Sequence, residues 1–283
     1  MKIRYIATVC VAALLTLTGC DKKDPYVVFA GAMGEWYDDA NGVNDHTQRA
    51  FLEKYTGVRC TNCPTADGII NTALAKYNGK LIAVAVHPSN DNFTRPYSGD
   101  PDLRTECGAI WGSYFGITGP NSLGLPNALL NRKLPVFSPL NSFDDKVDAI
   151  VNQPAGIALA VDCNRTEGNE LQVTAHIEYL AANNRPLTLT LLIMEDSLVV
   201  SQSLPDHSTD DQYVQNHVLR DVITDAFGTD IQADGSKGCK RFAVFYYEAN
   251  AQWNLKHCHI VAFVSDEETD EIQNVAQCGI GNL

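Results

Sequence analysis

The stretch Cys60-Thr61-Asn62-Cys63-Pro64 decides how this chain is interpreted. It lies between a strand-like run that ends at Thr56 and a helix-like run that starts at Ala66. Two thiols three residues apart at the start of a helix lie on one face, close enough to form a disulfide. The helix N-terminus is electropositive and Arg59 adds a positive charge, so a thiolate is favoured there. We therefore predict an exposed attacking thiol at Cys60 and a sheltered resolving thiol at Cys63.

The same pair of cysteines has two other interpretations. A structural disulfide, or a vestigial pair on a binding scaffold, has the same spacing, because a fold does not determine a function. A zinc site needs four ligands, and the sequence has no second Cys-x-x-Cys motif to complete one. His257-Cys258-His259 resembles a metal cluster, but on a strand its two imidazoles face one way and its thiol the other. We expect no metal and no cofactor.

The first twenty residues are a targeting segment rather than part of the fold. Lys2 and Arg4 form a basic region, and the apolar run after them is too short to span a bilayer as a mature helix. The run ends in Leu17-Thr18-Gly19-Cys20, which resembles a bacterial lipobox. We predict a signal peptide over residues 1–19, acylation of Cys20 and a tether over residues 20–45. An ordinary signal peptide with an incidental Cys20 is the alternative.

Composition narrows the class of protein. The formal net charge of −13 argues against nucleic acid and anionic lipid surfaces as partners. We therefore expect a protein that meets the membrane only through its lipid anchor. Nine cysteines occur in the sequence, and an exported protein tends to oxidise its thiols. We predict a buried core thiol at Cys107 and one or two structural disulfides among the later cysteines, Cys163, Cys239, Cys258 and Cys278.

The chain shows two different patterns of secondary-structure signals, one in each half. Residues 46–154 have the pattern strand, Cys-x-x-Cys, helix, strand, helix, Pro–strand, helix, and Leu81–Val86 is apolar throughout, as in a strand buried on both faces. From residue 155 onward, apolar and polar residues alternate in several runs separated by turns. We predict an α/β domain over residues 46–154 and an antiparallel, immunoglobulin-like β-sandwich over residues 155–283.

The first of these domains resembles the thioredoxin fold. Tyr114-Phe115-Gly116-Ile117-Thr118-Gly119, followed by Leu125-Pro126, is similar to the segment that leads into the cis-proline of that family. The resemblance implies a cis bond before Pro126 and a proline that orients an extended substrate beside the disulfide. It also implies substrate-docking roles for Leu125 and Arg59.

Two residues depart from the oxidoreductase pattern, and the first is Arg59, which stands where thioredoxins usually have Trp. The family has a buried Asp six residues before its first Cys, where this chain has Lys54, next to Glu53. Strand alternation places these two side chains on opposite faces, so only one of them can approach the cysteines. Thiolate stabilisation is therefore preserved or enhanced by Arg59, whereas the Asp that helps move protons in the family is absent from its position.

Taken together, the lipobox, the segment Tyr55–Pro64 and the β-rich second half resemble the Omp-type outer-membrane lipoproteins of Bacteroidetes. Asn216–Arg220 and Cys258–Val264 are also similar to that group. The resemblance implies a lipid anchor in the outer membrane. Two hypotheses follow: a thiol–disulfide oxidoreductase that acts on exported polypeptides with a redox partner protein, or a non-enzymatic lipoprotein that binds a surface ligand and uses the thioredoxin fold as a scaffold.

Overall fold

The computed structural model describes residues 34–135 and 143–281, and within these ranges it contains fifteen strands and three α-helices. The predicted signal peptide, Cys20 and the first part of the tether lie outside the described residues. The strands are β1 (Glu35–Asp38), β2 (Ala50–Tyr55), β3 (Leu81–Val86), β4 (Asn127–Leu130), β5 (Leu134–Pro135), β6 (Ile157–Arg165), β7 (Glu170–Tyr179), β8 (Leu187–Glu195), β9 (Leu198–Ser203), β10 (Thr209–Gln215), β11 (Val218–Val222), β12 (Thr229–Asp230), β13 (Lys240–Glu248), β14 (Cys258–Asp266) and β15 (Ile272–Gly279). The helices are α1 (Cys63–Tyr77), α2 (Glu106–Tyr114) and α3 (Phe143–Val151).

A mixed, nine-stranded sheet runs through both halves of the chain. Its order is β15-β14-β8-β11-β3-β2-β4-β5, with β12 beside β8. β2 and β3 are parallel, β4 is antiparallel to β2, and β11 joins β3 in parallel at Val218 and Ala85. The sheet is therefore continuous across residue 154, where the sequence predicts a domain boundary. Strands from the second half extend the sheet of the first half.

The three helices cover both faces of the first half of this sheet. Alternate residues of β2 explain the arrangement: Ala50 and Leu52 pack with α1 and α3, whereas Phe51 and Tyr55 pack on the other face with Trp111 of α2. Every residue of β3 is buried, which the continuous apolar run predicts. Within α1, Pro64 occupies the first turn, where its missing N–H costs nothing.

A four-stranded antiparallel sheet of order β1-β13-β7-β6 forms the second layer of a β-sandwich. On β7 buried and partly exposed residues alternate strictly, as the sequence predicts. Its inward side chains meet those of β8 and β14 in one apolar core. β8 is buried along its whole length, because Leu191 and Ile193 face this core while Leu192 and Met194 face α2.

Asn131, directly after β4, joins β2 to β15 through its side chain. Its Oδ1 accepts a hydrogen bond from the Phe51 amide at 2.8 Å, and its Nδ2 donates to the Ile272 carbonyl at 2.9 Å. Asn131 and Arg132 both have positive φ, 48° and 60°, so the β4–β5 connection is a tight turn of the left-handed region. The turn thereby ties β15, at the far end of the chain, to β2.

Candidate functional site

The two cysteines of the Cys-x-x-Cys motif form a disulfide whose Cα atoms are 5.4 Å apart. A tight turn precedes α1: the Cys60 amide donates to the Gly57 carbonyl at 3.0 Å, and the Cys63 amide to the Cys60 carbonyl at 3.2 Å. Cys63 is the first residue of α1, and Cys60 lies in the turn ahead of it. The prediction that the pair lies at the start of a helix is therefore confirmed.

The exposure predicted for Cys60 is wrong. Only 5% of Cys60 and 1% of Cys63 is accessible to solvent. The reason is long-range, because two segments fold over the turn: the loop after β3 and the hairpin formed by β9 and β10. Both cysteines of the disulfide are therefore buried in this conformation.

The β9–β10 hairpin contacts the disulfide turn mainly through polar groups. The Gln202 side-chain amide donates to the carbonyls of Gly57 and Cys60, at 3.3 and 3.1 Å. The Ser203 amide donates to the Val58 carbonyl at 2.8 Å. Gln215 supports Gln202 by donating to its Oε1 at 2.8 Å. The hairpin therefore supplies the Val58 carbonyl with a hydrogen bond and adds a second one to the carbonyls of Gly57 and Cys60.

Arg59 holds the loop after β3 in place. Its guanidinium donates to the carbonyls of Arg95 and Pro96, at 2.8 and 2.9 Å, and lies 4.1 Å from the centre of the Tyr97 ring. The Tyr97 hydroxyl in turn shares a hydrogen bond with Ser203 Oγ at 2.7 Å. Arg59 thus links the disulfide turn to both covering segments. Its role in substrate docking stays a prediction.

The peptide bond between Leu125 and Pro126 is cis, as the resemblance to thioredoxins implies. Pro126 comes immediately before β4, which pairs with β2 directly upstream of the disulfide turn. Leu125 is partly buried against the core that α2 covers. The predicted substrate roles of both residues remain predictions.

Lys54 lies on the α1 side of the sheet and pairs with a carboxylate that the sequence analysis missed. Its Nζ is 2.6 Å from Asp67 Oδ1, and the Tyr213 hydroxyl of the hairpin donates to Asp67 Oδ2 at 2.8 Å. Burial, followed by the charge of Asp67, raises the pKa of Tyr213. Asp67 follows Cys63 by one helical turn, which is the spacing that could have identified it.

Glu53 lies on the opposite face of the sheet, as strand alternation predicts, and forms a fully buried ion pair. Arg132 Nη2 is 2.8 Å from Glu53 Oε1. The guanidinium lies among aromatic rings, 4.7 Å from the Trp111 ring centre and 4.8 Å from that of Phe263. Burial raises the pKa of Glu53, and the nearby guanidinium opposes this effect. This pair belongs to the core and not to the disulfide site.

His87 is a buried imidazole that no sequence motif indicates. It follows β3, is fully buried, and neither ring nitrogen has a hydrogen-bond partner. Burial, followed by the positive charge of Lys54, lowers its pKa to about 3. His87 is therefore neutral in the folded protein at neutral pH.

The remaining cysteines of the described ranges are not disulfide-bonded. Cys107 is buried in α2, as predicted, and burial raises the pKa of its thiol. The structural bridges predicted for the second half are wrong, because no two of its thiols are bonded to each other; they are Cys163, Cys239, Cys258 and Cys278. Burial raises the pKa of each of these four thiols.

The three residues His257, Cys258 and His259 do not share one strand as predicted, because His257 ends a short 3-10 helix (Leu255–His257) and β14 begins at Cys258. His259 Nε2 lies 3.3 Å from Asp196 Oδ2, and His217 Nδ1 lies 3.1 Å from Asp196 Oδ1. Cys258 is buried in the sandwich core. In residues 34–135 and 143–281, no three His, Cys, Asp or Glu side chains are grouped as metal ligands. The same ranges contain no helix that is long and apolar enough to cross a membrane.

Comparison with known proteins gives one family and several solved structures. The model of the family described as "Outer membrane protein Omp28" matches residues 113–282, which is more than half of the chain. No curated protein matches the sequence significantly. Among solved structures, HBP35 of Porphyromonas gingivalis is similar with a TM-score of 0.61 and 17% identity, over 84% of this chain and 77% of that one.

Two further structures are similar to parts of the chain. Protein AGR_C_4864 from Agrobacterium tumefaciens has a TM-score of 0.52 and 17% identity, over 84% of this chain and 96% of that one. A domain of the outer membrane lipoprotein Omp28 from Porphyromonas gingivalis has a TM-score of 0.31 and 19% identity, over 44% of this chain and 88% of that one. At these identities the first two likenesses concern the fold alone.

Proposed function

The chain belongs to the Omp28 family of outer-membrane proteins, and from that premise we propose that it is a non-enzymatic lipoprotein that binds a ligand at the cell envelope. Its localisation follows from the family: the protein is lipid-anchored in the outer membrane. We propose Cys20 as the acylated residue. The finer architecture is also part of the proposal, namely a thioredoxin-like unit over residues 46–154 that is joined to an immunoglobulin-like sandwich over residues 155–283.

One observation carries the non-enzymatic assignment: the disulfide is sealed. Thiol–disulfide exchange requires an attacking thiolate to approach a sulfur along the S–S axis, so access limits the rate. With 5% of Cys60 and 1% of Cys63 accessible, the β9–β10 hairpin blocks that approach. In this conformation the disulfide acts as a staple that fixes the turn at the start of α1 and supports the covering hairpin.

The experiment compares two forms of the purified mature protein as reductases of a disulfide-containing polypeptide such as insulin. We expect the wild-type protein, supplied with a dithiol, to reduce the polypeptide no faster than the Cys60→Ser variant. A wild-type rate clearly above that of the variant would contradict the scaffold assignment. Urea unfolding of both forms controls for loss of structure.

A thiol–disulfide oxidoreductase for exported polypeptides is the second candidate function. The position of the disulfide directly before α1 favours it, because the helix N-terminus stabilises a thiolate. Cys60 would attack, Cys63 would resolve the mixed disulfide, and a redox partner protein would supply or accept electrons. This function requires a conformation in which the hairpin leaves the disulfide.

A further inference from the structure

The β9–β10 hairpin is attached to the rest of the molecule as a separate unit. β9 and β10 form their own two-stranded sheet and do not join either of the larger sheets. At the base of the hairpin, Ser197 and His217 have φ values of 63° and 59°, in the left-handed region that bulky residues seldom adopt. Ser197 precedes β9 and His217 follows β10, so the two residues lie at the two ends of the hairpin, where a hinge requires them.

Asp196 binds the two ends of this excursion together. The His217 backbone amide donates to Asp196 Oδ1 at 2.6 Å, and the Ser197 amide donates to Asn216 Oδ1 at 2.9 Å. Although burial alone would raise it, hydrogen bonds from His217 and His259 hold the pKa of Asp196 well below its usual range. The base of the hairpin is therefore fixed, while its body is held by other contacts.

The body of the hairpin is docked by hydrogen bonds with little apolar contact. Val200 packs into a small cluster with Val58, Leu103 and Val218. The outer face, by contrast, exposes the paired side chains of Val199 and Val214, at 50% and 49%. Net hydrogen bonds contribute only about 0.5–1.5 kcal/mol each, so this docking is weak compared with that of the core strands.

The surface of the hairpin that faces α1 also contains a polar atom without a hydrogen-bond partner and borders a small cavity. Gln215 Oε1 is buried and has no hydrogen-bond partner. A cavity of about 30 Å³ lies between α1 and β10, bordered by Asp67 and Tyr213. Buried polar atoms without partners regain hydrogen bonds to water when a segment opens, and this lowers the cost of opening.

We propose that the β9–β10 hairpin is a hinged cover whose opening is thermodynamically linked to reduction of the Cys60–Cys63 disulfide. The covered turn presents the carbonyl groups of Gly57, Val58 and Cys60 to the hairpin, and the disulfide fixes their positions. Opening exposes the sulfurs to reduction, and reduction loosens the turn that binds the hairpin. Such coupling between two equilibria is reciprocal. It does not require the protein to be an enzyme.

An external dithiol supplies the two electrons and two protons that reduction of the Cys60–Cys63 disulfide requires. One thiolate of the dithiol attacks a sulfur of the pair, the Cys60–Cys63 bond breaks, and a mixed disulfide forms. The second thiolate of the dithiol then displaces the protein sulfur. The dithiol ends as a disulfide, and Cys60 and Cys63 end as two thiols that take up the two protons lost by the dithiol.

The test measures the rate of this reduction in the mature protein with dithiothreitol, by quenched alkylation and mass spectrometry. Gln202→Ala removes the hydrogen bonds to the two turn carbonyls, and Gln212→Ala alters an exposed side chain of the same hairpin. We expect Gln202→Ala to be reduced about tenfold faster than wild type, and Gln212→Ala to be reduced at the wild-type rate. In wild type, reduction should increase amide hydrogen exchange throughout residues 198–215.

A rate for Gln202→Ala within twofold of both other forms would overturn the proposal. So would a reduced protein whose hairpin amides exchange no faster than those of the oxidised protein. If Gln202→Ala does not fold, Tyr213→Phe replaces it, because it removes the bond to Asp67 from the same hairpin. Urea unfolding of each form measures global stability and so separates opening of the hairpin from global unfolding. Reduction rates that change only in proportion to the free energy of global unfolding would also contradict the proposal.

Discussion

Acid should destabilise this protein through His87 at pH values where its carboxylates of lowered pKa are still ionised. The imidazole is fully buried, and its pKa falls from 6.5 to about 3 on folding. The folded state therefore binds fewer protons than the unfolded state between these two pH values. The resulting stability is fully present above pH 6.5 and is lost as the pH falls toward 3.

The magnitude follows from the shift in pKa. Each pH unit in the affected window changes the free energy of unfolding by about 1.4 kcal/mol. Integrated from pH 8 to pH 5, the loss due to His87 is about 2 kcal/mol. Carboxylates with lowered pKa contribute mainly below this range, and other titrating groups are common to the wild type and its variants.

The assay is urea unfolding of the disulfide-intact protein at pH 8 and pH 5, followed by tryptophan fluorescence. We expect His87→Leu, which has no group to protonate at this position, to lose about 2 kcal/mol less than wild type over this interval. His207→Leu, at an exposed position, should retain the wild-type dependence. Equal losses in wild type and His87→Leu would refute the reasoning.

Four further substitutions test the core, the covering loop and helix α1. Arg132→Met leaves the Glu53 carboxylate buried without its partner, and we expect a loss of about 3–5 kcal/mol in urea unfolding; a loss below 1 kcal/mol would contradict the buried pair. Asn131→Ala leaves a buried amide and a buried carbonyl unsatisfied, so the midpoint of urea unfolding should fall by the equivalent of about 2 kcal/mol or more. An unchanged midpoint would contradict the role of Asn131 in joining β2 to β15. Gly57→Ala places a Cβ 2.5 Å from the Phe93 carbonyl and should lower the thermal midpoint, whereas Gly68→Ala, with open space in α1, should raise stability by about 0.5–1 kcal/mol.

Local sequence patterns were sufficient to predict several strands and a helix of the fold. The apolar run Leu81–Val86 coincides with β3, and the alternation in Glu170–Tyr179 coincides with β7. Both succeed because a buried strand and a half-buried strand differ in period, which is visible in a few consecutive residues. The start of α1 at the Cys-x-x-Cys motif is another local signal of the same kind.

The closure of the candidate site depended on distant residues and could not be predicted. Gln202 lies 142 positions from Cys60, and the bulge between Asp210 and Tyr213 breaks the alternation that would have marked β10 as a strand. The prediction of an exposed Cys60 failed because nothing near residue 60 indicates a cover. Similarly, the continuity of the large sheet rests on a single register contact between Val218 and Ala85.

The most direct test of the sealed disulfide keeps the disulfide intact and mixes the oxidised mature protein with a reduced polypeptide that carries free thiols, such as the reduced insulin B chain. Exchange would require a thiolate of the polypeptide to reach Cys60 or Cys63. By quenched alkylation and mass spectrometry we predict that Cys60 and Cys63 stay oxidised, as they do in protein incubated without the polypeptide. Conversion of the pair to thiols, or a mixed disulfide between the polypeptide and either cysteine, would contradict the central claim that the hairpin excludes polypeptides from these sulfurs.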